Sequence, residues 1–196
     1  KLYVGADANL IDRKGNRTRI VKIMNGMVLS TPKVFTDKIW QDANLNDVGI
    51  FTEGKFKITN KFSIASGIRA DFVSTSIADP AADFEALYGG NIPSNNEVNV
   101  SGNISFKYQN NGFQTQLAFG RGVRTASMIE RYINHFNVGV DPYEYVGNPN
   151  LKPEINNQIE WSFSKNLTHF KLSGTVFYSF LEDYISAVVD TNIPRK

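Results

Sequence analysis

The stretch Glu97-Val98-Asn99-Val100-Ser101-Gly102-Asn103-Ile104-Ser105-Phe106-Lys107-Tyr108 alternates almost without exception. Val98, Val100, Ile104, Phe106 and Tyr108 share one parity with Gly102, and Asn99, Ser101, Asn103, Ser105 and Lys107 share the other. Successive side chains of a strand point to opposite faces, so this is a β-strand with one apolar and one polar face. The same period of two recurs in both directions. Between 62 and 74, Phe62, Ile64, Ile68 and Phe72 oppose Ser63, Arg69 and Asp71. Between 113 and 124, Phe113, Leu117 and Phe119 oppose Gln114, Gln116 and Arg124. Between 156 and 164, Ile159, Trp161 and Phe163 oppose Gln158, Glu160, Ser162 and Ser164. Between 170 and 180, Phe170, Leu172, Val176, Tyr178 and Phe180 oppose Lys171, Ser173 and Thr175. Two weaker strands, 2–11 and 48–58, bring the expected number to seven.

Composition narrows the class. The chain has 196 residues, 21 basic and 19 acidic, for a net charge of +2. That balance gives nucleic-acid binding no support. There is no cysteine, hence neither a disulfide framework nor a thiolate metal site. No run of about 18 apolar residues exists to form a membrane helix. A membrane-spanning barrel is still compatible, because alternation lowers its average hydropathy. The chain begins at Lys1 inside a strand-like segment, without an initiator Met or signal peptide, and ends at Lys196 in loop-like sequence. It reads as an interior piece of a larger protein.

The connections alternate in length. Short ones fall at 59–61, 109–112 and 165–168, and Asn111-Gly112 is a hairpin signal. Long ones are expected at 12–47, 76–96 and 126–155. Tight turns at one end and long loops at the other are the habit of outer-membrane barrels. Aromatics flank each short turn on the apolar parity: Phe56 and Phe62, Tyr108 and Phe113, Phe163 and Phe170. Such a belt suits a membrane interface, where amphipathic rings settle; ordinary hairpin pairing gives the same pattern. The polar face carries Arg69, Asp71, Lys107, Gln114, Gln116, Arg124, Glu160 and Lys171, which suits a wet lumen, or the outside of a soluble sandwich. Phe51 and Phe177 break this pattern, and Arg121 breaks it in reverse.

Four motifs resemble one family, the TonB-dependent receptors. Gly147-Asn148-Pro149-Asn150-Leu151-Lys152-Pro153-Glu154 matches its "GNPxLKPE". Phe119 through Ser127 resembles its "sRGfRaPs" strand end, with Thr125-Ala126 where "aP" is usual. Gly67-Ile68-Arg69-Ala70-Asp71 resembles "GxRxD", and Gly49-Ile50-Phe51-Thr52-Glu53 resembles "GvFxE". The resemblance implies an antiparallel transmembrane β-barrel of a Gram-negative outer membrane, with short periplasmic turns and long extracellular loops. Seven strands would be part of a barrel of about 22. It also implies a plug domain outside this chain, contact with the TonB complex through that plug, outer-membrane lipid around the wall, and uptake of a scarce ligand. Met128-Ile129-Glu130-Arg131-Tyr132-Ile133-Asn134-His135-Phe136, the segment 138–144 and Asn156-Asn157-Gln158 resemble the copper-receptor branch. Copper is therefore the first expected ligand and a ferric siderophore the second.

The candidate ligand contacts are Arg124, Arg131, Tyr132 and His135, in or beside the loop 126–155. The candidate metal donors are Met24, Met27, Met128 and His135, because thioether and imidazole suit Cu(I). The alternative for all of them is loop packing. No resident cofactor is expected. Catalysis has no evident partnered nucleophile: His169 stands alone beside a short turn, and Asp141, Glu144 and Glu154 cluster only in sequence. A soluble β-sandwich binding module is the remaining class.

Overall fold

The structure is a computed structural model that describes residues 1–137 and 142–193. Its main element is a curled seven-stranded antiparallel sheet, part of a barrel wall. The strands are β1 (Leu2–Met24), β2 (Met27–Lys57), β3 (Phe62–Ile77), β4 (Asn95–Asn110), β5 (Phe113–Arg124), β8 (Glu154–Asn166) and β9 (Lys171–Glu182). They lie side by side in chain order. A short helix α1 (Ala82–Leu87) joins β3 to β4. Between β5 and β8 come α2 (Met128–Tyr132) and a two-stranded ribbon, β6 (Phe136–Asn137) with β7 (Glu144–Tyr145).

The register keeps the two parities apart across the whole sheet. Phe72 faces Val98 and Ile68 faces Gly102, while Asp71 faces Asn99 and Arg69 faces Ser101. Phe119 stands opposite Ile159 and Gln116 opposite Ser162. A slip of one residue would exchange the faces, so the alternation fixes the pairing. The apolar face is bare: Trp161 is 50% exposed, Phe72 48% and Tyr178 68%. A sandwich would need a second layer over this face, and none covers it among the described residues. A soluble protein rarely exposes so large an apolar patch, whereas lipid covers it at no cost. From Val98 to Tyr108 is about ten steps of about 3.3 Å, which at a tilt of about 40° gives a height of about 25 Å, that of an outer-membrane apolar band.

The aromatic belt sits at the short-turn end. Phe62 stands opposite Tyr108. The rings of Trp161 and Phe163 lie 5.5 Å apart, and the Trp161 indole donates to Thr115 Oγ1 at 2.9 Å. That bond satisfies the ring's polar edge within a greasy surface.

One expectation needs correction. Residues 12–47, read as an external loop, are mostly strand. β1 and β2 continue as one paired hairpin to a tight turn at Asn25-Gly26, both with positive φ (51° and 78°). This pair is the preferred two-residue hairpin turn. Its flanks were masked in the sequence by irregular pairing around Arg13–Asn16 and by Asp42, whose φ is also positive (51°). Such bulges interrupt the period of two. β2 last pairs with β3 at Ala43, so the hairpin outruns the sheet by about 16 residues, on the order of 50 Å.

Phe51 has a local explanation. It lies on the polar face with its ring over Gly5, in the space that a Cβ at that position would need. The Arg69 guanidinium sits 5.9 Å above that ring and binds both carboxylate oxygens of Asp7 (2.6 and 2.9 Å). Its Nε donates to Asp71 at 2.7 Å. Phe177, on the same face, is 65% exposed. The compact core is elsewhere, at the long-loop end, where Met128 and Tyr132 pack on Ala43, Leu45 and Val73.

Two outcomes are expected of the wall. In the full-length receptor, Leu117→Arg on the apolar face should cost about 2–4 kcal/mol in denaturant unfolding from bilayers, whereas Gln116→Arg on the polar face should cost far less. Equal costs would reverse the assignment of the faces. The isolated 196-residue segment should scatter light as aggregates in detergent-free buffer, because its bare face and open edges both associate; a monomeric peak would contradict this.

Candidate functional site

The connection from β5 to β8 turns back over the polar face at the mouth instead of extending into solvent. Its first turn is set locally. Ser127 Oγ accepts from the Glu130 N–H (3.3 Å), and Glu130 Oε2 accepts from the Ser127 N–H (2.7 Å), a reciprocal capping box. Arg124, the last residue of β5, clamps the same region. Its Nη1 donates to both Glu130 oxygens (3.0 and 2.9 Å) and its Nη2 to Glu154 Oε2 (3.3 Å) at the start of β8. The Arg124 side chain is still 46% exposed. Burial pushes the Glu130 carboxyl up, but the bonds from Arg124 and Ser127 outweigh it and hold it below the ordinary carboxyl value.

The next residues are buried and pinned. Arg131 is wholly inaccessible. Its Nη2 pairs with Glu97 of β4, and its Nη1 donates to the Pro149 carbonyl at 3.2 Å. A buried guanidinium persists only when so paired. The Tyr132 hydroxyl donates to Thr75 Oγ1 at 2.8 Å, and its carbonyl accepts from Gln41 Nε2 at 2.9 Å. Gln41 in turn accepts from the Ala81 N–H beside α1. Asn134 bonds the backbone of β2 through Ile39 and Lys38. His135, 3% exposed and at φ 45°, places Nδ1 3.0 Å from Glu144 Oε2 and Nε2 4.0 Å from Asp83 Oδ2 of α1. It therefore lies where the two mouth connections meet.

The segment 147–150 closes the loop. The Gly147 N–H bonds the Ile133 carbonyl (2.8 Å) and the Asn148 N–H bonds that of Glu130 (2.8 Å). Tyr88 donates to the Gly147 carbonyl at 2.6 Å, and Asn95 to that of Pro149 at 3.1 Å. A Cβ on residue 147 would lie 2.5 Å from the Arg131 and Tyr132 backbone, so only glycine fits.

The structure brings Arg124, Met128, Arg131, Tyr132 and His135 into this one rim. Met128 is 4% exposed and forms part of the core. Met24 and Met27 are elsewhere. They face each other across the Asn25-Gly26 turn, with Met27 70% exposed and Met24 Sδ accepting from Lys33 Nζ at 3.8 Å. The bridge between Trp40 and Ile133 marks the level of the rim. Trp40 pairs with Gly15, and from Gly15 to Met24 is about nine steps, or about 30 Å. Among the described residues, no three His, Asp or Glu side chains are placed to hold a metal ion. Val138 to Asp141, part of the copper-branch string, lie outside the described residues, and with them Asp141 of the acidic cluster.

Sequence reasoning did not single out Glu97, Gln41, Thr75 or Ser127. The Ser127-x-x-Glu130 spacing is a capping-box signature and could have revealed α2. The other three carry no local signal, since their partners are 34, 91 and 57 residues away.

An up-and-down sheet with an apolar outer belt and an infolded mouth loop defines a section of an outer-membrane β-barrel. The sequence matches the family described as "TonB dependent receptor-like, beta-barrel" over residues 8–195, and the chain belongs to that family. Among solved structures, it is similar to the one titled "Copper transporter OprC", with a TM-score of 0.63 and 14% identity. The match covers 93% of this chain and 27% of that one, so the chain spans about a quarter of OprC's length. At that identity the likeness is one of fold. No curated protein matches the sequence.

Two measurements check the rim. Gly147→Ala should cost about 1–3 kcal/mol of loop stability, since the methyl meets backbone. It should appear as faster amide exchange at Arg131 and Ile133 with β4 and β5 unchanged; unchanged loop exchange would contradict the packing. The depressed Glu130 carboxyl gives a pH dependence. Its contribution is complete above the ordinary carboxyl value and is lost as pH falls through the lower folded value. Protection of the α2 amides should therefore decline below about pH 4, and Glu130→Gln should lower protection at neutral pH and flatten that decline.

Proposed function

We propose that this chain is barrel wall from an outer-membrane receptor that takes up a metal ion or metal complex, with copper the first ligand. The observation that carries this is the family match across nearly the whole chain, on a wall whose mouth loop folds inward. The whole 196 residues belong to the barrel domain; a plug domain elsewhere in the receptor contacts the TonB complex. No catalytic step is assigned.

Two observations favour copper. OprC, whose fold this chain shares, is titled a copper transporter. Met24 and Met27 present two soft thioethers side by side at an exposed hairpin tip, the donor type that suits Cu(I). The rim residues Arg131, Tyr132, Met128 and His135 then act on the ligand by ordering the mouth, and Arg124 is the rim cation left accessible to it. One observation favours the ferric-siderophore reading. Residues 12–42 hold seven basic and three acidic side chains, a net +4 against +2 for the chain, which suits an anionic metal complex.

Anaerobic Cu(I) titration of the full-length receptor should show binding, and replacing Met24 and Met27 together by Leu should weaken it by about tenfold or more. Absence of Cu(I) binding would remove copper as the ligand. Unchanged binding in the double variant would remove the hairpin tip from the site. Elemental analysis of receptor purified from cells then separates copper from iron.

A further inference from the structure

Arg121 is a cation on the face that meets lipid. It lies in the row Ile68, Gly102, Arg121, Asn157 and Phe180, all on the apolar side. Its Nη1 donates to Asn157 Oδ1 at 3.3 Å, and Asn157 Nδ2 donates onward to Glu182 Oε1 at 3.2 Å. No carboxylate lies within ion-pair distance of Arg121 among the described residues; Glu182 is reached only through Asn157. The height is informative. From Phe113 in the aromatic belt to Arg121 is about eight steps of about 3.3 Å, a rise of about 20 Å at a tilt of about 40°; Arg121 pairs with Gly102, four residues short of Val98, so it lies in the far half of the apolar band, about 10 Å inside its edge. A long arginine stem reaches headgroups from there.

Directly beside it the apolar face is dented. Gly102 has no side chain, and Ile68, Ile104, Phe119, Ile159 and Tyr178 stand around it, leaving a shallow greasy groove whose long-loop end is closed by Arg121 and Asn157. We propose that Arg121 and the groove over Gly102 form an outer-wall site for one lipid of the external leaflet. Its acyl chain lies in the groove and its anionic phosphate headgroup meets the guanidinium. The chemistry is complementary at both ends. A planar guanidinium offers two parallel N–H donors to a phosphate, and the charge-assisted pair is strong where water is scarce. The groove supplies apolar contact for a chain at the depth where chains lie. Asn157 holds one edge of the guanidinium and so fixes its plane.

The test compares two probes, a bisphosphorylated lipid A and the same lipid stripped of its phosphates, each titrated into the full-length receptor and counted by native mass spectrometry. The unsubstituted receptor should hold the phosphorylated probe about tenfold more tightly than the stripped one. Arg121→Gln should abolish that preference while leaving binding of the stripped probe unchanged, and Arg121→Lys should keep part of it. The site is overturned if the unsubstituted receptor does not distinguish the probes, a comparison that needs no variant. It is equally overturned if Arg121→Gln, shown folded by its heat-dependent gel mobility, keeps the full preference.

Discussion

Hydrocarbon cannot hydrogen-bond a peptide group, and the rest of this structure follows from that. Each strand must give its N–H and C=O groups to neighbours, so the wall is built from consecutive antiparallel ladders, β1 to β9, without a crossover. With the backbone satisfied sideways, side chains are free to divide by parity: apolar to lipid, polar to the lumen. The usual position of a hydrophobic core is thereby lost. What compact packing the described residues contain is gathered at the mouth, where Met128 and Tyr132 cover the upper ends of β2 and β3.

That displaced core is held by polar anchors as much as by apolar contact. Arg131 ties β4 to the Gly147–Pro149 return, and Tyr132 ties α2 to β3 through Thr75. Each anchor joins segments far apart in the chain, so the loop is fixed only when the wall is already assembled. The motif 147–154 has its physical basis here. Gly147 allows backbone to lie against backbone, and the prolines after it direct the chain toward β8.

How much of this was legible in the sequence depended on how locally it was encoded. The strands from Phe62 onward, their register sense and the two faces follow from a period of two, which any window of ten residues displays. The β1–β2 hairpin was read as a loop although Asn25-Gly26 names its turn, because bulges near Gly15 and Asp42 broke the alternation on both flanks. The rim was legible as a location and not as an arrangement. Nothing near Arg131 in the chain says that Glu97 will neutralise it, and nothing near Tyr132 points to Thr75. Long-range partners of buried polar groups are decided by the assembled sheet.

The hairpin beyond Ala43 is a ribbon two strands wide, clamped at one end. Among the described residues no third strand flanks it, and an isolated two-stranded ribbon is marginal on its own. It is mechanically a cantilever: deflection at the free end grows steeply with length, so small angular play near Trp40 becomes a broad arc at Asn25-Gly26. Met24 and Met27 therefore occupy a swept volume above the mouth. A passing solute meets a target cross-section set by the reach of the arm, larger than that of the two sulfur atoms it carries.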